Sequence, residues 1–289
     1  MPDWSAITTQ LEEAGVAVQS NGVPVPVRGG DISSAWHLSA KETDLFIKTG
    51  PAISADIFAA EAQGLTELAS AGAIRVPSVL ASGTTQSSAY LALEWLTFEP
   101  ADAAIETVFG EQLAALHRNT NTRHGWHRNN SIGLTPQEND WQDNWLEFFR
   151  EQRLGFQLHL AARSGYGEEL QQRGAQLLKR LPIYFDTVEP AASLLHGDLW
   201  AGNWNCSGGV PVIFDPAVYF GDRETDLAMT KLFGGFGAAF YAAYESSWPL
   251  QDGHQERQHL YQLYHLLNHL NLFGSGYLGQ TIRLMEKLL

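Results

Sequence analysis

The sequence predicts an α+β protein in two parts: a small, mainly β lobe over residues 1–96 and a larger, mainly helical lobe over residues 97–289. Three observations predict it. Short alternating segments flank a single helical stretch before residue 96, long helical patterns begin near residue 103, and brief apolar runs near 193–195 and 210–215 interrupt them. With 289 residues, 44% hydrophobic and 17% charged, the chain has enough apolar surface for a real core and too much for disorder.

"DLFIKTG" alternates, with Leu45 and Ile47 facing one way and Phe46 and Lys48 the other, as a strand arranges them. "ISADIFAAEAQGLTELASAG" reads as a helix with Ser54 or Asp56 as N-cap and Gly72 as its stop. "YLALEWL", Tyr90 to Leu96, is a second strand. "AAIETVFGEQLAALHRNT" is a helix, and Asp140–Ala162 and Glu168–Leu181 are two more. "SLLH" and "VPVIFD" are short strands, and "RQHLYQLYHLLNHLNLF" returns to helix. The first residues lack the positive start and apolar core of a signal peptide. Leu232–Tyr244 is thirteen residues long and holds three glycines, too short for a span of about 20 residues, so a buried helix or loop is expected there. A single cysteine, Cys206, excludes an internal disulfide and fits a reducing cytoplasm. The net charge of −14 opposes general nucleic-acid affinity, and nothing signals membrane association or an obligate protein partner.

"GSGYLG", Gly274 to Gly279, has the letters of a dinucleotide fingerprint but follows a helix end instead of a strand, so it reads as a turn. His265 and His269 lie one helical turn apart without a third ligand nearby in sequence; they, like His117, His124 and His127, read as ordinary helix-surface or core histidines.

"LLHGDLWAGNWN" is different, because neither a packed helix nor a strand requires its mixture of acid, amide, glycine and tryptophan. Phosphoryl transfer from ATP needs a carboxylate to hold and deprotonate the attacking hydroxyl, and oxygen ligands for magnesium beside the phosphates. Kinase catalytic loops supply an Asp and, five residues on, an Asn, which is the spacing of Asp198 and Asn203. A second metal-binding Asp is needed at a strand end, and "VPVIFDP" offers Asp215 after a turn at Ser207–Gly209. In the first lobe, Glu61 falls on the apolar stripe of its helix with Ile57, Leu65 and Leu68, and a buried carboxylate calls for a cation. Lys48, on the preceding strand, is placed as kinases place the lysine that pairs with a helix glutamate and meets the α- and β-phosphates. Ahead of it, "VRGGDISSAW" can bring the backbone of Gly29 and Gly30 to phosphate, with Ser33 or Ser34 adding a hydroxyl. Backbone groups near Glu94 and Leu96, where "LALEWL" ends, are expected to meet adenine.

On these residues the sequence resembles the fructosamine kinase (ketosamine-3-kinase) family, relatives of aminoglycoside and choline kinases with a protein-kinase-like fold. The resemblance runs over nearly the whole chain, through "GGDI", "FIK", "EAQGL", "LALEWL", "LAALHR", "NNSIGLTPQEND", "LLHGDLWAGN", "FDPAVYFGDRETDLAM", "LFGGF" and "LYHLLNHLNLFG". It implies Asp198 as catalytic base, Asn203 and Asp215 as magnesium ligands, Lys48 and Glu61 as the ion pair, and Asp226 as a buried acid bracing the catalytic loop. Trp200 is either a stacking wall for a sugar or a packing residue. The implied substrates are ATP with Mg2+ and a ketosamine, free or protein-bound, phosphorylated at its C3 hydroxyl, after which the product breaks down and frees the amine. Only eight residues separate Asp215 from Glu224, too few for the peptide-seating segment of a protein kinase, which favours a small acceptor group. The alternatives are a kinase for another small hydroxylated acceptor such as an aminoglycoside, and a nucleotide-binding pseudokinase; the former lacks the distinctive flanks of "HGDLWAGN", the latter would not need all five polar residues. The chain departs from many relatives at Ser33, where they carry Asn, and at Asp31, where some carry a redox-active cysteine.

Overall fold

The computed structural model describes residues 2–19, 22–27, 34–41 and 43–289. Gly29, Gly30 and Ser33 lie outside the described residues. The chain forms two compact units, one of residues 1–101 with 205–215 and one of residues 102–204 with 216–289. Residues 205–215 thus pack with the first unit, whereas the sequence reading ran the second lobe unbroken from residue 97.

The first unit opens with helix α1 (Trp4–Glu13), capped by the side chain of Asp3. Strands β1 (Val25–Val27), β2 (Ser34–Leu38) and β3 (Leu45–Pro51) follow, then helix α2 (Ala55–Ser70) and strands β4 (Val79–Thr84) and β5 (Ser88–Glu94). They make one antiparallel sheet in the order β1-β2-β3-β5-β4. The period-2 alternation of β3 decides what each face does. Leu45 and Ile47 join Ile7 and Leu11 of α1 in one apolar cluster, with Tyr90 and Ala92 of β5. Phe46 lies on the opposite face, where Phe58, Ala62 and Leu65 of α2 pack on Ala89, Leu91 and Leu93. Lys48, two residues after Phe46, therefore faces α2. That helix takes Ser54 as N-cap residue, not Asp56, and stops before Gly72, whose φ of 63° is left-handed and suits glycine. Strand β5 begins and ends two residues earlier than the predicted Tyr90–Leu96: at Trp95 the N–H bonds the carbonyl of Asp44 (2.9 Å) and the chain leaves the sheet.

The second unit begins with helix α3 (Ala103–His117), whose N-cap Asp102 accepts from Ala104 and Ile105. Strands β6 (Thr120–Asn121), β7 (Asn130–Ile132) and β8 (Thr135–Gln137) lead to a continuous helical stretch. That stretch comprises α4 (Trp145–Phe148), a π-helical turn (Phe149–Gly155) and α5 (Phe156–Arg163). It starts five residues later than the predicted Asp140, because the side chain of Asn144 accepts from Glu147 N–H and makes the N-cap itself. Helix α6 (Glu168–Arg180) and strand β9 (Ala192–Leu195) come next. They are followed in sequence by the hairpin β10 (Trp204–Ser207) and β11 (Val210–Ile213), which from residue 205 belongs with the first unit, and by β12 (Tyr219–Gly221), which resumes the second. The unit ends in α7 (Glu224–Leu232), α8 (Ala238–Ser247), α9 (His254–Phe273) and α10 (Leu278–Leu288). Leu232–Tyr244 is the end of α7, a glycine loop and part of α8. Among the described residues no helix is long and apolar enough to cross a membrane. "GSGYLG" is the turn from α9 to α10, with Gly274 at φ 91°.

Two histidines of this core give a pH dependence. Burial, with His269 adding, pushes His265 down to about 3, and burial pushes His124 down to about 4. Unfolded, both titrate near about 6.5, so unfolding takes up protons below that pH. Their contribution is complete above about pH 6.5 and is lost as pH falls, each by about 1.4 kcal/mol per pH unit. Asp222 acts in the opposite sense: burial, then the charge of Glu224, raises it to about 7, so its folded-state proton stabilises as pH falls towards the unfolded value, 3.8. It offsets about one of the two histidines. Between about pH 6.5 and pH 4.5, His265→Leu is expected to make stability less sensitive to acid than in wild type, by about 1.4 kcal/mol per pH unit. An unchanged slope in the variant would remove His265 as the cause.

Candidate active site

Each unit carries one group of the residues singled out from the sequence. In the first, Lys48 Nζ lies 2.7 Å from Glu61 Oε1 and 2.6 Å from Asp215 Oδ1. The lysine is placed by its register, opposite Ala35 on one side and Leu91 on the other, on the sheet face that α2 covers. Glu61 reaches it from one turn after Phe58 and one turn before Leu65, both buried on that face. The Lys48 and Glu61 side chains are only 7% and 13% exposed, and Asp215 32%. Burial alone would lower the lysine, but the charges of Asp215 and Glu61 outweigh it and its pKa is raised. Glu61 is also raised, by burial first; Lys48 opposes this, and Asp215 adds to it. One ammonium is thus shared by two carboxylates.

Asp215 follows β11 with φ 58°, the only non-glycine residue with positive φ among those described. Asp tolerates this left-handed conformation better than most residues, and such outliers concentrate at functional sites. The hairpin that delivers it is tied down by Arg75. The Arg75 carbonyl accepts from Ile213 N–H (3.0 Å), and its guanidinium donates to the Ser207 carbonyl (3.1 Å) and to Glu94 Oε1 (2.6 Å). With the bonds from Glu99 N–H to the Cys206 carbonyl (3.0 Å) and from Gly209 N–H to Glu99 Oε1 (2.6 Å), the contacts of Arg75 tie residues 205–215 to the first unit. Of the residues expected to meet adenine, Glu94 has its N–H committed to the Ser78 carbonyl (2.9 Å) and Leu96 lies half-buried beyond the strand end. The Glu94 carboxylate would be raised by burial, but bonds from Ser78 and Arg75 hold it low. Ser34 is exposed and opens β2, paired in register with Thr49.

In the second unit, β9 ends at Leu195 and runs into His196-Gly197-Asp198. Gly197 has φ 84°, and a Cβ there would meet the Ala217 carbonyl oxygen at 2.0 Å, so only glycine fits. Asn203 Nδ2 donates to the Asp198 carbonyl (2.8 Å) and lies 3.4 Å from its Oδ2. Asp198 N–H donates to His196 Nδ1 (3.2 Å). Behind this loop, the buried Asp226 accepts from His196 N–H (2.7 Å) and Gly197 N–H (2.9 Å). Burial would raise Asp226, but the hydrogen bond from His117 leads the influences that hold it low. Trp200 is half-buried, with its ring folded over Gly202, where a Cβ would meet it at 2.3 Å.

A strap that sequence reasoning quoted only as a family motif supports the loop from the other side. Asn130 Nδ2 donates to the Val218 carbonyl (2.8 Å) and Gln137 Nε2 to the Ala217 carbonyl (3.1 Å), while Ala217 N–H bonds the His196 carbonyl (2.8 Å). Asn139 Nδ2 closes the set on Asn130 Oδ1 (2.8 Å), and buried Arg153, aimed inward by the π-helical turn, donates to Asn139 Oδ1 and the Glu138 carbonyl, both at 2.6 Å. An amide-rich stretch next to a turn reads as a surface loop, so only its density of Asn and Gln could have flagged it.

Among the described residues no three His, Cys, Asp or Glu side chains converge as a metal cage. The two ligands expected from the sequence, the Asp215 carboxylate and the Asn203 amide oxygen, are hard oxygen donors. Magnesium commonly takes one or two such protein ligands and completes its shell with phosphates and water, so the donor chemistry fits. Lys48 supplies the cationic side chain of this group, oriented by Glu61 and Asp215.

The family model described as fructosamine kinase matches residues 3–289. A Synechocystis protein described as a ketoamine kinase is 41% identical over 295 aligned residues, covering 99% of this chain and 97% of the relative. One from Vibrio parahaemolyticus is 39% identical with 99% of both covered. A crystal structure of a Haemophilus somnus protein described as a fructosamine-3-kinase superposes with a TM-score of 0.90 at 30% identity, covering 99% of this chain and 97% of that one. A thermostable mutant of the aminoglycoside phosphotransferase APH(4)-Ia gives 0.63 at 15% identity, covering 97% of each chain, a likeness of fold alone. That fold is the α+β, protein-kinase-like one expected from the sequence.

Proposed function

The chain belongs to the fructosamine kinase family, and from that premise we propose that it transfers the γ-phosphoryl group of ATP to the C3 hydroxyl of a ketosamine. Family membership makes it a kinase. The nucleotide, the C3 position and the repair outcome are our reading, and the observation that supports it most is Lys48 held between Glu61 and Asp215. A buried ammonium oriented by a helix carboxylate is the arrangement that positions the α- and β-phosphates of ATP.

In this reading Asp198 accepts the proton of the attacking hydroxyl, and the amide bond from Asn203 holds its main chain in place. Asp215 and Asn203 would hold magnesium, which neutralises charge on the phosphates when bound. Lys48 adds a fixed positive charge to the same phosphates. Both sets of side chains must serve one nucleotide for the transfer to occur. The acceptor is a ketosamine, free or on a protein, or a ribulosamine or fructosamine adduct in particular. With phosphate on C3, loss of a proton from C1 gives an enaminol that expels the phosphate. Water then releases the amine, which makes the reaction a deglycation.

The test incubates the protein with MgATP and a panel of ribulosamine, fructosamine and aminoglycoside acceptors. Phosphorylation of ketosamines, with aminoglycosides untouched, is expected. Turnover of an aminoglycoside alone would replace the acceptor class, and no turnover of any acceptor would make the chain a pseudokinase.

A further inference from the structure

The geometry points to His117, with Tyr244 and Arg223 behind it, as a positioning residue that fixes the loop carrying Asp198 through a one-directional chain of hydrogen bonds. This rests on the reading above that Asp198 is the base. His117 ends α3 and is fully buried, and from sequence it was indistinguishable from a core histidine. Its Nδ1 lies 2.8 Å from Tyr244 Oη and its Nε2 3.2 Å from Asp226 Oδ2. Arg223 Nη1 donates to the same Tyr244 oxygen (3.1 Å).

The two ends of this chain decide its polarity. A guanidinium can only donate and a carboxylate can only accept. Tyr244 therefore accepts from Arg223 and gives its own proton to His117 Nδ1. The ring then donates from Nε2 to Asp226, and every partner is satisfied. Asp226 passes the restraint on, because its two oxygens take the N–H groups of His196 and Gly197, the residues just before Asp198.

Packing holds the chain at its correct length. Helices α3 and α8 approach so closely that a Cβ on Gly110 would meet the Phe240 carbonyl at 2.3 Å. His117 lies two turns after Gly110 on the same face, and Tyr244 one turn after Phe240. The far end is anchored as well, since the Arg223 guanidinium sits 3.9 Å over the Trp248 ring and donates to the Trp248 carbonyl (2.8 Å) and the Pro249 carbonyl (2.6 Å). A buried network satisfied at every member restrains more than its separate bonds would.

The test compares His117→Leu, His117→Gln and Tyr244→Phe in steady-state kinetics and in amide hydrogen exchange of the segment containing His196 and Gly197. Leu removes both bonds, and Gln can restore a donor to Asp226. His117→Leu is expected to lower kcat by about 10–100-fold with KM for ATP changed less than about twofold, and Gln to recover most of the loss. Exchange at His196 and Gly197 should quicken by about tenfold or more in the Leu variant and return towards wild type with Gln. A purely structural histidine would lower the melting temperature of both variants alike and leave kcat per folded molecule and local exchange unchanged; that result would overturn the assignment. Should His117→Leu fail to fold, Tyr244→Phe decides: faster exchange at Gly197 supports the chain, and wild-type exchange refutes it. The exchange measurement needs no acceptor, so a wrong acceptor class would show as an inactive wild type without affecting it.

Discussion

Replacement of Asp198 by alanine is expected to lower kcat by about 10²–10⁴-fold, the usual contribution of a positioned general base, while ATP still binds. The structure allows this to be a clean loss of chemistry. The bonds described around Asp198 run mainly through main-chain atoms, which alanine retains: Asn203 Nδ2 bonds the Asp198 carbonyl, Asp198 N–H bonds His196, and Asp226 takes the N–H groups of His196 and Gly197, while the longer 3.4 Å contact of Asn203 Nδ2 with Asp198 Oδ2 is lost. Lys48, Glu61 and Asp215 belong to the other unit, so a nucleotide titration should give an affinity within about twofold of wild type. Wild-type turnover in the variant would remove Asp198 as the base, and lost nucleotide binding would give it a different task.

Lys48→Ala should act in two ways, on stability and on catalysis. Without the ammonium, Glu61 and Asp215 lose the cation they share. Breaking a buried pair by removing one partner commonly costs about 3–5 kcal/mol; here about 3 kcal/mol is expected, because Asp215 is a third exposed and a carboxyl can take up a proton. That escape fixes the sign of the pH dependence. Glu61 is raised by burial even with Lys48 present, and losing Lys48 raises it further, so the folded variant holds a proton that the unfolded chain releases. The variant's deficit should therefore be smaller near about pH 5 than near about pH 8 in urea unfolding. A deficit that grew towards acid would mean that the lysine was not compensating these carboxylates. In kinetics, loss of a fixed charge at the phosphates should lower kcat/KM for ATP by about 10²–10³-fold.

These expectations rest on features that differ in how far the sequence could reveal them. The encounter of Lys48 with Glu61 was legible because each obeys a local periodicity: alternation puts the lysine on one face of β3, and helical spacing puts the glutamate on the stripe of α2. Asp198, Asn203 and Asp215 stood out because their residue types make no sense as packing. Other parts depend on partners far away in the chain. His117 and Asp226 are 109 residues apart, Asn130 and Val218 88, and nothing local marks a polar residue whose partner lies that far off. The late start of α4 has a local cause instead: a single Asn144 cap outweighed the helical pattern before it. The hairpin 205–215 is tied to the first unit by Arg75 and Glu99, residues with no visible signal in sequence. Local rules therefore place the reactive groups, while the scaffold that holds them is written in long-range hydrogen bonds.

Whether this kinase places phosphate on C3 of a ketosamine is tested most directly by proton–phosphorus correlation NMR of the product formed from MgATP and a ribulosamine. A correlation from the new phosphorus signal to the proton on C3, followed by release of free amine, is the expected result. A correlation to any other carbon's proton, or ATP hydrolysis with the ribulosamine unchanged, would contradict it.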